Sequence, residues 1–444
     1  MINQTIFAPA TATGRAGITV IRVSGSRAGE VLMACTQKPL PPPREAQYSG
    51  FFELDTGETI DKGLALWFPG PKSFTGEDVV EFHIHGGRAT TEAICNVINQ
   101  IEHCRFADPG EFTRRAFYNE KLDLTEVEGL ADLVDAETEA QRKQAFRQFN
   151  GDLSALFEKW RSQLIRAMAL LEASIDFSEE DIPENLFSRI KHNILCLEKE
   201  ITQYIDDKRH GERLREGFFI VIAGSPNVGK SSLLNALAQR DVAIVSEVAG
   251  TTRDVVEVRM DIGGVPVTIA DTAGLRDVLD EIEAEGVRRA RKRAKEADLR
   301  LLMFDATQLK PDKPTMEMID QNAIVVFNKI DLLKENSSMA VEITPNPILI
   351  SALKGQNIKG VLEIVSEKIQ KMSSKAGLPP ITRARHRYAL QDCVRGLKRA
   401  YDAKEPELIA EDIRIAAGCL GRITGKVDVE DLLDVIFNEF CIGK

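Results

Sequence analysis

No apolar run in this 444-residue chain approaches the ~20 residues a membrane-spanning helix requires. The opening Met1-Ile-Asn-Gln-Thr-Ile6 lacks the basic and apolar regions of a signal peptide. Cysteines are few and scattered, at 35, 95, 104, 196, 393, 419 and 441, with no Cys-x-x-Cys spacing, which argues against a disulfide framework and a zinc site alike. The expectation is a cytoplasmic protein with no membrane partner. Internal repeats and low-complexity tracts are also missing. Overall positive charge is lacking too: the net charge of −11 argues against an unfocused nucleic-acid binder, because phosphate contacts need a Lys/Arg surplus. Local surpluses exist at Arg383, Arg385, His386 and Arg387, followed by Arg395, Lys398 and Arg399, and from Arg288 to Lys295. Each is read as a solvated helix face.

Against these absences stand four motifs in one order: Gly224-Ser-Pro-Asn-Val-Gly-Lys-Ser231, Gly250-Thr-Thr252, Asp271-Thr-Ala-Gly274 and Asn328-Lys-Ile-Asp331. The first follows an apolar run, Phe218 to Ala223, with strand character, and leads into a helical stretch, Ser232–Leu237. That is the strand–loop–helix context of a phosphate loop. Gly224 and Gly229 let backbone N–H groups turn onto phosphate oxygens, assisted by the positive end of the helix. Lys230 can reach the β- and γ-phosphates, and the Ser231 hydroxyl can ligate magnesium.

The fourth motif selects the base. A carboxylate at Asp331 can accept from guanine N1–H and from the 2-amino group, whereas adenine offers neither donor there. Charge-assisted bonds contribute about 1.5–3 kcal/mol each, so two give roughly a hundredfold to ten-thousandfold preference for guanine. The strand Ala323–Phe327 ends at this motif, as expected at the carboxyl edge of a parallel sheet. Ser351-Ala-Leu353 resembles the last base-contacting loop of GTPases, with Leu353 where a lysine is usual. The residues point to GTP as the nucleotide.

Hydrolysis must differ from the Ras type, in which a glutamine just after Asp-Thr-Ala-Gly orients the attacking water. Leu275 occupies that position and can neither donate nor accept. The acidic stretch Asp277, Asp280, Glu281, Glu283 and Glu285 supplies candidates, and the residues alone leave the choice among them open. Asp271 is read as a second-sphere or water-mediated magnesium group, with the Gly274 N–H available to sense the γ-phosphate.

Length allows about two to four domains, and three compositional blocks appear. Residues 1 to 118 are strand-rich, with strands expected at Ile18–Val23, Gly50–Leu54, Gly63–Trp67 and Val79–His85, and a helix at Ala89–Ile101. Residues 119 to 215 read as long helices; Leu186, Ile190, Ile194, Leu197, Ile201 and Ile205 form one amphipathic stripe. A doubly wound α/β unit is expected from 216 to 372, and helix returns from 373 to 444. The fold class is therefore α/β multidomain, a phosphate-loop GTPase unit inserted in a helical domain after an α+β domain. In the first block, Glu81, His83 and His85 share one strand face. Two histidines fall one ligand short of the three protein ligands of a catalytic metal site.

Asp108-Pro-Gly-Glu-Phe-Thr-Arg-Arg-Ala-Phe117, Lys121-Leu-Asp-Leu124, Gly250-Thr-Thr-Arg-Asp254, Asp271-Thr-Ala-Gly-Leu-Arg276 and the terminal Cys441-Ile-Gly-Lys444 carry a further signal. Through these motifs the chain resembles, over its full length, the MnmE (TrmE) family of tRNA-modification GTPases. The resemblance implies a folate-binding and dimerisation domain, a helical domain and an inserted G domain. It implies a homodimer working with the flavoprotein MnmG as a heterotetramer, adding a (carboxymethyl)aminomethyl group at C5 of the wobble uridine of certain tRNAs. The one-carbon unit would come from a 5-formyl- or methylene-type tetrahydrofolate held by Arg22, Glu81, Lys121 and Lys444, with Cys441 as a possible reactive thiol.

The same resemblance implies a potassium ion near the β–γ bridge, on Asn227, Ser246, Val248 and Thr251. Ser231 and Thr252 would hold Mg2+. Catalysis would rest on Glu283, which orients water, together with Lys230 and Asn227. The nucleotide would contact Asn227, Val228, Gly229, Lys230, Ser231 and Ser232, then Ser246, Glu247, Val248, Ala249, Gly250, Thr251 and Thr252. Asp271, Thr272, Ala273, Gly274, Asn328, Lys329, Asp331, Ser351 and Ala352 complete that set. The rival expectation is a GTPase switch that assists ribosome or RNA assembly without modification chemistry.

Overall fold

Period-two alternation organises the first hundred residues into a six-stranded mixed sheet. The structure, a computed structural model, describes residues 4–12, 14–176, 186–207, 209–239, 257–271, 297–308, 310–333, 347–373 and 378–427, together with 433, 436, 437, 440 and 443. The strands are β1 (Thr5–Pro9), β2 (Ala16–Ser24), β3 (Gln47–Phe52), β4 (Thr59–Phe68), β5 (Val79–Gly86) and β6 (Cys104–Phe106). Their order is β3-β4-β5-β2-β1-β6. All neighbours are antiparallel except β1 and β6. Buried Ile21, Val23, Phe51, Phe82 and Ile84 pack with Val31 and Leu32 of the helix Ala28–Thr36 and with Ile94, Val97 and Ile98 of the helix Arg88–Asn99. All four expected strands and the expected helix form, with ends shifted; β3 stops at Phe52, where its pairing with β4 slips by a residue.

The chain divides into two units that are both discontinuous in sequence. One comprises Met1–Ala131, Arg147–Leu195 and Asp392–Lys444; the other comprises Asp132–Phe146 and Cys196–Gln391. In the first, the 25-residue helix Asp152–Asp176 buries Leu153, Leu156, Phe157, Trp160, Leu164, Ala167 and Leu171 at three- and four-residue spacing. It packs along the helix Pro406–Thr424, whose Ile409, Ile413, Ala416 and Leu420 are buried. Ion pairs Arg414–Glu172 (2.8 Å) and Lys426–Glu158 (2.8 Å) flank the seam.

The second unit holds the other sheet, β7 (Phe218–Gly224), β8 (Glu257–Ile262), β9 (Val265–Asp271), β10 (Leu299–Asp305), β11 (Ala323–Asn328) and β12 (Ile348–Leu349), in the order β12-β11-β10-β7-β9-β8. Every pair is parallel except the β8–β9 hairpin. The strands β7 and β11 read as continuous apolar runs because the sheet is covered on both faces, whereas the edge strand β8 alternates: one side packs on Leu233, Leu234, Leu237, Val361, Val365 and Ile369, from the helices Lys230–Ala238 and Ile358–Ser373. The other side is built on Leu302, Phe304, Val325 and Phe327. The strand order reverses at β7, so ligand loops are expected beyond the carboxyl ends of β7, β9 and β11.

One expectation is overturned here. Arg383, His386 and Arg387 do not form a solvated face. His386 is fully buried. Arg387 bonds Glu212 and Asp207 (2.7 Å each) and the Ile205 carbonyl, while Arg383 bonds Asp132 at 2.9 Å. Charge-run rules fail at these positions because the matching carboxylates come from distant sequence. Further on, Arg399 does lie exposed, paired with Asp412. No helix among the described residues is long and apolar enough to cross a membrane.

Candidate functional site

The loop leaving β7 has a backbone that only certain residues tolerate. A Cβ at Gly224 would stand 2.4 Å from the Met303 carbonyl oxygen of β10, and one at Gly229 (φ +102°) would stand 2.2 Å from Asn328 Nδ2. Asn227 also lies in the left-handed region (φ +61°), which asparagine accepts more readily than most residues. Val228 between them is buried in the core. The Lys230 ammonium, on a nearly buried side chain, donates to the carbonyls of Gly224 (3.1 Å) and Ser225 (3.0 Å), so it sits inside the curl of the loop. Ser231 Oγ donates to Asp271 Oδ2 at 2.6 Å, joining the ends of β7 and β9; Ser231 and Ser232 face solvent.

Asn328 ties this loop to the base motif. Its Nδ2 donates to the Val228 carbonyl (2.8 Å), and its Oδ1 accepts from the Ala352 N–H (2.9 Å). Ser351 is fully buried and bridges to Gln356, while Leu353 stands 84% exposed at the edge of the same loop. Lys329, at φ +68°, pairs with Asp305 Oδ2 (2.7 Å) at the end of β10. Burial alone would raise the Asp305 carboxyl, but the Lys329 ammonium and the Thr307 hydroxyl and N–H hold it below the usual range. Asp305 was not singled out from sequence; a lone acid ending an apolar strand is the signal that could have found it. Asp331 lies in the short 3-10 turn Ile330–Leu332, partly exposed, with no partner among the described residues.

Ser246, Glu247, Val248, Ala249, Gly250, Thr251, Thr252, Thr272, Ala273, Gly274, Leu275 and Glu283 lie outside the described residues, as do Asp277, Asp280, Glu281, Glu285 and the run Arg288 to Lys295. Among the residues present, Ser231 and Asp271 offer the hard oxygens that suit Mg2+. Asn227, exposed on the loop, is the one residue of the expected potassium ligands that lies among the described residues.

A second constellation lies on the N-terminal sheet. Arg22 and Glu81 face each other across β2 and β5, and the guanidinium donates twice to Glu81 Oε1 (Nε 3.0 Å, Nη2 2.9 Å). It lies 5.3 Å from the Phe74 ring centre and 5.9 Å from that of Phe112. His83 Nε2 stands 3.5 Å from Glu81 Oε2, whereas His85 turns to Asp61 (2.8 Å). Among the described residues no group of three His, Cys, Asp or Glu side chains could hold a metal. Lys121 Nζ donates to the Pro71 carbonyl at 3.0 Å. Arg22 and Lys121 thus touch one loop, residues 69–78, itself fastened by Glu77 to Arg115 (2.9 Å) and Ser24 (2.8 Å), and by Asn119 to the Thr75 carbonyl (2.7 Å). Two cations and a carboxylate around that loop fit an anionic ligand carrying hydrogen-bond donors, as a folate does. Cys441 and Lys444 lie outside the described residues, but Gly443 (φ +102°) is buried so close to β1 that a Cβ there would meet the Pro9 carbonyl oxygen at 2.2 Å.

Two family models match the chain. The MnmE helical domain covers residues 124–441, and the GTP-binding protein TrmE N-terminus covers residues 5–121. A relative from Parvibaculum lavamentivorans, named tRNA modification GTPase MnmE, is 53% identical over 99% of this chain and 100% of its own length. Another of that name, from Paramagnetospirillum magneticum, is 52% identical over 100% of both. Among solved structures, the FeoB G-domain from Methanococcus jannaschii covers 34% of this chain and 97% of its own at 23% identity and a TM-score of 0.27, too loose a likeness to add to the fold described above. The two family models and the full-length identities converge: the chain belongs to the MnmE family.

Proposed function

We propose that this chain is a potassium-dependent GTP hydrolase of the cytoplasm. With the flavoprotein MnmG it would install the (carboxymethyl)aminomethyl group at C5 of the wobble uridine of certain tRNAs, drawing the one-carbon unit from a tetrahydrofolate. The observation that carries the nucleotide half is the Asn328 side chain, which fastens the phosphate loop at Val228 and the last base loop at Ala352 to one sheet edge. Family membership carries the tRNA half. The domain reading pairs an N-terminal folate and dimerisation domain (1–118) and a helical domain (119–215 with 373–444) with an inserted G domain (216–372).

In this reading Asp331 accepts from the guanine edge, and Lys230 leaves its loop carbonyls for the β- and γ-phosphate oxygens. Preorganised charge at the transferring phosphoryl group is the main source of rate, since phosphoryl transfer needs positioning more than covalent help. Ser231 and Thr252 would hold Mg2+, and Asn227 with Ser246, Val248 and Thr251 would hold K+; both ions would supply positive charge against the phosphate oxygens. Glu283 orients the attacking water through a second water. Arg22, Glu81, Lys121 and Lys444 bind the folate. Two G domains pair during hydrolysis, so the protein acts as a homodimer.

Modified-nucleoside analysis of tRNA from a strain lacking the protein tests the reading, beside a folate titration of the purified chain. Loss of the wobble modification together with saturable folate binding is expected. Intact modification and no folate binding would leave a GTPase switch that assists RNA assembly.

A further inference from the structure

The second unit contains a polar cavity that none of this chemistry uses. It begins at the helix Glu139–Phe149, whose start is pinned by Gln141: Oε1 accepts from the N–H groups of Glu137 (3.0 Å) and Thr138 (3.1 Å), and Nε2 donates to the Arg215 carbonyl (2.9 Å). Ala140 N–H donates to Gly264 in the β8–β9 turn at 3.3 Å. Between these attachments lies a cavity of about 330 Å³, lined by Asp135, Glu137, Arg215, Glu216, Arg259 and Thr268 among others. A recess of about 140 Å³ shares Asp135, Gln141, Arg215 and Glu216 with it and adds Asp132, Gln144 and Ala145.

Its lining mixes carboxylates with the guanidinium groups of Arg215 and Arg259. Asp132 accepts from Arg215 (2.8 Å) and Arg383 (2.9 Å), and Glu137 faces Arg259 at 3.5 Å. Glu216 reaches only the edge of Arg215, at 3.8 Å. Asp135 makes no hydrogen bond or ion pair among the described residues. Gln144 supplies the independent sign: it is 91% buried, and its Nε2 donates to the Gly211 carbonyl at 3.3 Å. A carbonyl can only accept, so the amide orientation is fixed and Oε1 is left buried with no donor among the described residues. A buried acceptor in that state is costly until a donor arrives.

The candidate ligands can be separated on these facts. An anion finds the N–H groups of Glu137 and Thr138 taken by Gln141 and the guanidinium groups facing carboxylates. A tightly held metal needs a three-ligand cluster, and the described residues contain none. A primary ammonium, with three donors and one positive charge, fits Gln144 Oε1 and Asp135 together. The two volumes together exceed what one ammonium fills, and Glu137 and Glu216 line the larger of them. We infer that this cavity binds an unbranched primary diamine or polyamine, with one ammonium on Gln144 and Asp135 and the other at Glu137 and Glu216.

The test is calorimetric titration of the full chain with putrescine and with spermidine at constant ionic strength, beside tetramethylammonium, which has the charge but no N–H donor. Saturable binding of the amines and none of tetramethylammonium is expected. Asp135→Asn, at an exposed position, should weaken binding about tenfold or more, since a charged hydrogen-bond partner is lost. Gln144→Leu removes the buried acceptor without opening space and should weaken it comparably, with the thermal midpoint recorded to show that the fold persists. Absence of saturation in the unmodified chain, equal binding of tetramethylammonium, or amine affinity unchanged in both variants would overturn the assignment.

Discussion

Replacing Asn328 by alanine is the perturbation that tests the loop arrangement most directly. The side chain is 3% exposed and satisfies two buried backbone groups, the Val228 carbonyl and the Ala352 N–H. Truncation leaves both without a partner, at about 1–3 kcal/mol each, so about 2–6 kcal/mol should be lost from a domain whose total stability is of order 5–15 kcal/mol. The loss should be confined to one unit, and the tryptophans allow that to be seen. Both Trp67 and Trp160 belong to the other unit. In urea, far-UV circular dichroism should therefore show an early transition that moves to lower denaturant in the variant, while the tryptophan-fluorescence transition stays in place. GTP affinity should fall at least tenfold in an equilibrium titration, because the phosphate loop loses its tie to the base loops. Gly229→Ala approaches the same contact from the other side: its methyl would stand 2.2 Å from Asn328 Nδ2 at a φ of +102°, so it should reproduce the defect. An Asn328→Ala protein with unchanged circular-dichroism midpoint and unchanged GTP affinity would refute the reasoning.

Four further outcomes are expected. Asp331→Asn replaces a double acceptor with an amide that can donate to a 2-keto group, so binding should shift from GTP towards xanthosine triphosphate; unchanged GTP affinity would remove Asp331 from the base site. Asn227→Ala should abolish stimulation of GTP turnover by K+ over Na+ at matched ionic strength while leaving nucleotide affinity roughly intact, since such transition-state electrostatics is worth several kcal/mol; equal turnover of the unaltered chain in both salts would count against the ion. Asp305, held below its ordinary range in the folded state, stabilises the protein above the unfolded carboxylate value of about 3.9 and ceases to do so as pH falls through its lower folded value; the gap in thermal midpoint between the native chain and Asp305→Asn should therefore be widest above about pH 5 and shrink as pH falls below the ordinary carboxylate range, and a pH-independent gap would contradict the Lys329 pairing. Deleting Cys441–Lys444 should weaken folate binding and stop tRNA modification with GTP hydrolysis nearly unchanged; collapse of all three would indicate misfolding.

What could be read from the chain followed the range of the forces involved. Val79–His85 and Phe218–Ala223 were legible as strands because burial imposes a local period or an apolar run, and β7, β9 and β11 end where the motifs said loops should begin. β1 is buried from Thr5 to Ala8 without alternation, and β6 has only three residues. Pairings between distant residues were illegible for a different reason. Arg387 reads as one more charge in a basic run until Asp207 and Glu212 are brought to it, and Arg22 meets Glu81 only through the β2–β5 register. Asn328 could be assigned to a motif from its neighbours, but its contacts with Val228 and Ala352 depend on three loops converging.

The N-terminal motif shows the same limit from the opposite side. Asp108-Pro-Gly-Glu-Phe-Thr-Arg-Arg is dense in groups that could do chemistry, yet in the structure they are spent on one another and on distant backbone. Glu111 caps the Asp108 N–H at 3.0 Å and pairs with Arg105 (2.7 Å) and Arg115 (3.0 Å). Burial alone would raise its carboxyl, and these partners pull it below the ordinary range. Arg115 reaches on to Glu77 and to the Gln4 carbonyl, and Gly110, at φ +67°, passes so near Phe437 that a Cβ would lie 2.4 Å from its carbonyl oxygen. The motif therefore binds the loop under Arg22, the entry to β1 and the last described helical segment into one network. A charged, hydrogen-bonded cluster of this kind is strongly destabilised by removal of one member, because the remaining charges stay partly buried. Glu111 and Arg115 thus act on Arg22 and Lys121 through the geometry they impose. The Gly443–Pro9 approach lies within one chain, so Gly443 needs no second subunit to reach that same strand.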